Sequence, residues 1–106
     1  MHHADGESIG LFLSRDCLIE GNRVSDGFSV NIYLDNTTNT TVTRNIVFNT
    51  GKRDFNRFNQ PPTGIQIANE RYGGFANPSS DNVITNNILI ANRCAFTTVR
   101  IKMVVV

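Results

Sequence analysis

The sequence predicts an all-β chain folded as a short solenoid of about three stacked coils. Three observations carry that expectation. Asparagine is abundant alongside Thr, Val and Ile, while the helix formers Ala, Leu, Glu and Lys are scarce; that balance favours short strands joined by tight turns. A pattern of aliphatic, two variable residues, Asn, one variable residue and aliphatic occurs three times. A segment of alternating apolar residues precedes each occurrence. One supersecondary unit repeated in fixed order is the condition for a solenoid, because each unit buries its apolar face only against its neighbours.

The first coil, about residues 9–27, opens with Ile9-Gly10-Leu11-Phe12-Leu13 and closes with Ile19-Glu20-Gly21-Asn22-Arg23-Val24. The second, about 28–51, opens with Val30-Asn31-Ile32-Tyr33-Leu34 and closes with Val42-Thr43-Arg44-Asn45-Ile46-Val47. The third, about 63–93, opens with Ile65-Gln66-Ile67-Ala68-Asn69 and closes with Ile84-Thr85-Asn86-Asn87-Ile88-Leu89. Period-two alternation in the opening segments marks strands with one buried face. Asn22 and Asn45 stand 23 residues apart, Asn45 and Asn87 42 apart, and the openings 21 and 35 apart. The third unit is longer because of two non-repetitive stretches, 52–62 and 71–81, which read as loops extruded from the coil. Residues 94–106 read as a C-terminal strand or tail, so that 1–106 form a single segment.

Asparagine at a recurring corner has a physical reason. Equivalent residues of successive parallel coils lie about 4.8 Å apart, so an inward-turned amide can donate to one neighbouring coil and accept from the other. Asn also tolerates left-handed backbone at a turn. Asn22, Asn45 and Asn87 are therefore expected to form a structural ladder. Leucine-rich repeats fit worse because the chain is Leu-poor, the Gly-rich nonapeptide of calcium-binding β-rolls is absent, and an immunoglobulin-like sandwich does not explain two motifs paired in fixed order.

With these motifs in view, the chain resembles the right-handed parallel β-helix family, the pectate-lyase-like or pectin-lyase-like superfamily. The carriers are the three Asn-containing units and the "IGLFL", "VNIYL" and "GIQIA" strands, and the resemblance covers roughly Ile9 to Ala91. It implies a carbohydrate-active, secreted or cell-surface parent; the same coil also serves lyases, hydrolases, tailspikes and non-enzymatic surface proteins.

Neither end of the three coils carries a polar cap, and the chain runs out in an alternating Val99-Arg100-Ile101-Lys102-Met103-Val104-Val105-Val106. Uncapped strand edges invite pairing with another chain, so the segment is expected to belong to a longer helix or to self-associate through its ends. With Val24, Val47 and Leu89 inward, Ile46, Phe48, Ile88 and Ile90 face outward as an apolar strip. Such a strip calls for a cover, for which the loop bearing Phe55 and Phe58, further coils or a partner subunit are candidates.

The opening strands also define a candidate site. With Ile9, Leu11 and Leu13 inward, stacking yields outward columns Gly10/Asn31/Gln66, Phe12/Tyr33/Ala68 and Ser14/Asp35/Glu70, the last pairing two carboxylates. The loops add Arg53, Asp54, Arg57, Gln60, Arg71 and Tyr72. Rings that stack on pyranose faces and polar groups that bind hydroxyls and carboxylates suit a polysaccharide, with Phe12, Tyr33, Gln66, Arg53, Arg57 and Tyr72 as binding residues. The resemblance implies that, in a lyase, Asp35 and Glu70 hold Ca²⁺ and Arg71 abstracts the sugar proton. In a hydrolase, paired carboxylates act as acid and base or nucleophile. The chain lacks the full motif of either branch.

Composition narrows the partners. A net charge of +1 gives no case for nucleic acid or an anionic membrane surface, and no apolar run approaches the roughly 18 residues of a membrane span. Met1-His2-His3-Ala4-Asp5 lacks a signal-peptide apolar core, so a secreted parent would carry its signal upstream and the compartment stays open. Cys17 and Cys94 read as small apolar fillers, and two thiols make no metal site. His2 and His3 read as a free terminus. Asn36-Thr37-Thr38 and Asn39-Thr40-Thr41 match the glycosylation acceptor pattern, as Asn/Thr-rich turns readily do, and Gly73-Gly74 lacks the strand-to-helix setting of a phosphate loop. Three functions remain in competition: a piece of a carbohydrate-active enzyme, a non-catalytic surface or adhesion module, and an assembly element.

Overall fold

The computed structural model describes residues 7–50, 62–69 and 78–90 and the backbone of 96–99. Every regular element among them is a strand: β1 (Ile9–Phe12), β2 (Leu18–Glu20), β3 (Arg23–Ser25), β4 (Val30–Asp35), β5 (Thr41–Thr43), β6 (Ile46–Phe48), β7 (Thr63–Ala68), β8 (Val83–Thr85), β9 (Ile88–Ile90) and β10 (Phe96–Val99). Successive strands enter different sheets, and every third strand returns to the same one. The sheets run β1-β4-β7-β10, β2-β5-β8 and β3-β6-β9, with all pairings parallel. Parallel neighbours joined by a full circuit of chain are compatible with a parallel β-helix or solenoid-like fold.

Register sets which side chains stack. Between the first two circuits the offset is 23 residues in each sheet, as in Ile9 with Ile32, Leu18 with Thr41 and Arg23 with Ile46. Ile9 therefore lies against Ile32, two residues beyond the Val30 expected from strand patterning. A period of two cannot distinguish Val30-Ile32-Leu34 from the same face shifted by two, whereas the 23-residue Asn spacing already fixed the offset. Leu13 also departs from expectation: it has left the strand at φ 52 and is 56% exposed rather than inward.

The core is aliphatic, as the alternation requires. Ile19, Val24, Ile32, Leu34, Val42, Val47, Ile65, Ile67 and Ile84 form one buried cluster, with Ile9, Leu11 and Leu89 packed partly against it. Full burial of each such side chain contributes about 1.5–3 kcal/mol before chain entropy is charged against it.

The bends recur in register. Gly21, Arg44 and Asn86 have φ of 70, 56 and 57 at one corner, and Asp16, Asn39 and Asp81 have φ of 58, 49 and 56 at another. The left-handed residue is thus the one before the ladder Asn rather than the Asn itself. Leu13 and Asn36 (φ 47) repeat a third bend. Extra chain enters only around β7. Four residues separate β3 from β4 but fourteen separate β6 from β7; five separate β4 from β5 but fourteen separate β7 from β8. β10 pairs with β7, with Phe96 beside Ile65, and so begins a fourth circuit a few residues before the alternating pattern at Val99. Among the described residues, no strand pairs with the outer edges of β1, β2 and β3.

Candidate functional site

The outer face of the four-stranded sheet carries the sequence-predicted binding residues that the structure describes. Its register reads Gly10/Tyr33/Gln66 and Phe12/Asp35/Ala68. Tyr33 and Asp35 thus stand one place away from the columns expected from patterning, and Asn31 lies outside them. Asp35 lies level with Phe12 and Ala68 rather than with Ser14. Ser14 has passed the Leu13 bend and matches Thr37 and Ser79, one residue before the bridged trio Arg15, Thr38 and Ser80. Ser14 and Asp35 therefore do not share a column, and Glu70, the third member expected there, lies outside the described residues.

Burial separates this face into two parts. Asp35 is 0% exposed, and Asn31 and Tyr33 are also buried; Val30, Tyr33 and Ala68 form a second, smaller apolar cluster. Phe12 is 46% exposed. Its ring meets Tyr33 at 5.9 Å between centroids with a 31° tilt, a diagonal contact because Tyr33 stands opposite Gly10. The glycine makes room for it: a Cβ at position 10 would lie 2.8 Å from the Phe12 ring. Phe12 therefore folds back over Gly10 onto Tyr33, beside a half-buried Gln66. This is an aromatic surface with an amide at its side, able to take an apolar ring face and a hydroxyl.

Glu70, Arg71, Arg53, Arg57 and Tyr72 lie outside the described residues, as do Asp54, Gln60, Phe55, Phe58, His2, His3, Cys94 and Gly73-Gly74. Among the described residues no group of three His, Cys, Asp or Glu is placed to hold a metal ion, and no helix is long and apolar enough to cross a membrane.

The corners carry most of the described side-chain hydrogen bonds. At the first, Asn45 Oδ1 accepts from the Asn22 backbone N–H (2.9 Å) and from Asn22 Nδ2 (3.1 Å). Asn87 Oδ1 accepts in the same way from Asn45 N (3.0 Å) and Nδ2 (2.9 Å). Asn45 Nδ2 also donates back to the Ile19 carbonyl and Asn87 Nδ2 to that of Val42. Asn45 and Asn87 each use both a donor and the acceptor face, so these inward-turned amides meet little desolvation penalty.

A second column, absent from the sequence reading, stands before β2, β5 and β8. Thr40 Oγ1 accepts from Cys17 N (3.3 Å), Asn82 Oδ1 accepts from Thr40 N (3.0 Å), and Asn82 Nδ2 donates to the Thr37 carbonyl (2.8 Å). Cys17 is therefore a corner residue, with a half-buried free thiol donating to the Arg15 carbonyl at 3.3 Å, rather than core filler. The signal was present: Asp16-Cys17, Asn39-Thr40 and Asp81-Asn82 share the ladder's spacings of 23 and 42, each before an aliphatic pair or its Thr-Val equivalent. A third polar group closes the turn between β3 and β4. The buried Asp26 carboxylate accepts from Thr50 N (3.0 Å) and Oγ1 (3.1 Å), and Gly27 N donates to Asn31 Oδ1 (2.9 Å).

The apolar strip is also present. Ile46, Ile88 (54%) and Ile90 are exposed in neighbouring strands of the β3-β6-β9 sheet. Phe48 is half-buried beneath the Arg23 guanidinium, 4.9 Å from its ring centroid. Comparison with protein-family models, with curated proteins and with solved structures returned no match.

Proposed function

We propose that this chain is a run of coils from a right-handed parallel β-helix of the pectate-lyase-like kind, and that it binds a polysaccharide without itself performing the chemistry. The hand follows from the general rule that a parallel crossover within one sheet turns to the right. The single observation carrying the binding role is the exposed Phe12 ring, braced on Tyr33 beside Gln66. Non-catalytic binding is the reading that a fully buried Asp35 favours, since a calcium ligand or general acid must reach the sugar. Glu70 and Arg71, with Asp35, remain the residues that a catalytic version would use.

The test is titration of the chain with an acidic polygalacturonate and a neutral β-glucan, followed by isothermal calorimetry, with and without Ca²⁺. Binding that weakens about fivefold in Phe12→Ala supports the reading, in line with the worth of one aromatic contact. No binding to either polymer, or equal binding by Phe12→Ala, removes it. A second reading, a structural or adhesion module without carbohydrate affinity, is favoured by the exposed Ile46, Ile88 and Ile90 strip, which suits a protein contact.

A further inference from the structure

The turn from β3 into β4 contains Asp26-Gly27, and its geometry dictates both residues. Gly27 admits no side chain: a Cβ there would lie 2.8 Å from the Val30 carbonyl oxygen, 2.9 Å from Ser8 Oγ and 3.0 Å from Asn31 Oδ1. Asp26 occupies a left-handed bend at φ 54 and is buried, its N–H donating to Asn49 Oδ1 at 3.2 Å. A carboxylate is suited here because both of its oxygens accept, from the Thr50 N–H and hydroxyl. The turn thereby places an aspartate directly before a glycine. In that pair nothing beyond hydrogen hinders attack of the following amide nitrogen on the side-chain carbon.

We propose that Asp26-Gly27 is a latent isomerisation site which the fold keeps silent, and which records any opening of this turn as a permanent covalent change. In the reaction, the Gly27 nitrogen forms a bond to Asp26 Cγ, the Gly27 N–H proton is lost, and a carboxyl oxygen leaves as water, giving a cyclic imide. Water then adds to the imide at the former main-chain carbonyl and opens that C–N bond. The chain continues through the side-chain carbon as isoaspartate, with no net change in mass or oxidation state.

The folded turn opposes each requirement. The nucleophilic nitrogen is engaged at 2.9 Å with Asn31 Oδ1, and the two carboxylate oxygens are held from Thr50 at 3.0 and 3.1 Å. Burial keeps out the water that must finish the reaction. Isoaspartate inserts one extra methylene carbon into the main chain. That shifts everything after residue 26 against a register in which Ser25 must meet Phe48 while Ile32 meets Ile9. An opened and isomerised chain therefore cannot close its second circuit as before.

The experiment is peptide mapping of the full chain by mass spectrometry with electron-based fragmentation, after matched incubations at 37 °C in buffer and in unfolding urea. Asp5-Gly6, the same dipeptide in the same chain, serves as a sequence-matched clock in urea. Isoaspartate at Asp26 is expected to form at least about tenfold more slowly in the folded chain than in urea, where it should match Asp5. Thr50→Val, which removes one of the two restraints on the carboxylate, should raise the folded-state rate about fivefold, as expected for loss of one hydrogen bond. Equal rates at Asp26 in buffer and in urea overturn the proposal, whatever the variant does. A Thr50→Val chain that stays folded by circular dichroism yet isomerises no faster also overturns it.

Discussion

The two corners flanking β2, β5 and β8 make the same kind of turn with different chemistry. After these strands the column is Asn22, Asn45 and Asn87; before them it is Cys17, Thr40 and Asn82. Both place a left-handed residue immediately ahead of the inward-turned one, and both satisfy a backbone N–H of the preceding circuit. The Asn column links side chain to side chain across all three circuits, whereas the mixed column links side chain to main chain only. The corner thus demands an acceptor one circuit onward; the amide's extra donor adds a second tier of bonds. A hydroxyl meets the demand alone, and a thiol suffices at Cys17, where no described circuit precedes it.

That comparison can be broken at its strongest point first. Asn45→Ala removes both donors and the acceptor at the middle of the amide column, stranding Asn22 N and taking the side-chain donor from the Ile19 carbonyl. It should cost about 3 kcal/mol in urea denaturation, the sum of the lost bonds and an unmet Asn22 N–H. Thr40→Val keeps the shape but removes two bonds, stranding Cys17 N and losing the hydroxyl's donation to the Thr38 carbonyl, which Asp16 N still meets. A cost of about 1–2 kcal/mol is expected from the same measurement. A Thr40→Val chain as unstable as Asn45→Ala would mean that the two corners do not differ in the way described. Cys17→Asn should sharpen the comparison by converting the first position toward the amide pattern, raising stability by about 0.5–1 kcal/mol in thermal unfolding. Glu20→Gln lies outside both columns. It breaks the exposed Arg44–Glu20 pair at 2.8 Å, and a change within about 0.5 kcal/mol is expected by the same assay.

Much of this architecture was legible in the residues because parallel stacking turns spacing into contact. The 23- and 42-residue intervals between Asn22, Asn45 and Asn87 are the hydrogen-bonded intervals of the ladder. The outward set Ile46, Ile88 and Ile90 followed from alternation about Val24, Val47 and Leu89. Alternation failed where it is degenerate, in the two-residue shift of β4, because an aliphatic at every second place looks the same after sliding by two. It failed again at Leu13, whose apolar side chain belongs to a bend. The mixed corner escaped notice because Cys, Thr and Asn share a hydrogen-bonding role without sharing a letter. The candidate site was less legible still. Its columns were built on the shifted register, and burial of Asp35 and Tyr33 depends on packing that strand patterning does not encode.

Both surplus stretches flank β7, on the entering and the leaving side of a single strand, while β8 and β9 stay in step with the circuits before them. Lengthening a connection costs little once its ends are fixed, since closure entropy grows only logarithmically with length. The scaffold is in this sense modular: foreign peptide grafted at either shoulder of β7 can be exchanged without disturbing how the remaining rungs mate. Variation in such a chain is free to accumulate at one address, while the rest of the circumference is held to a fixed gauge.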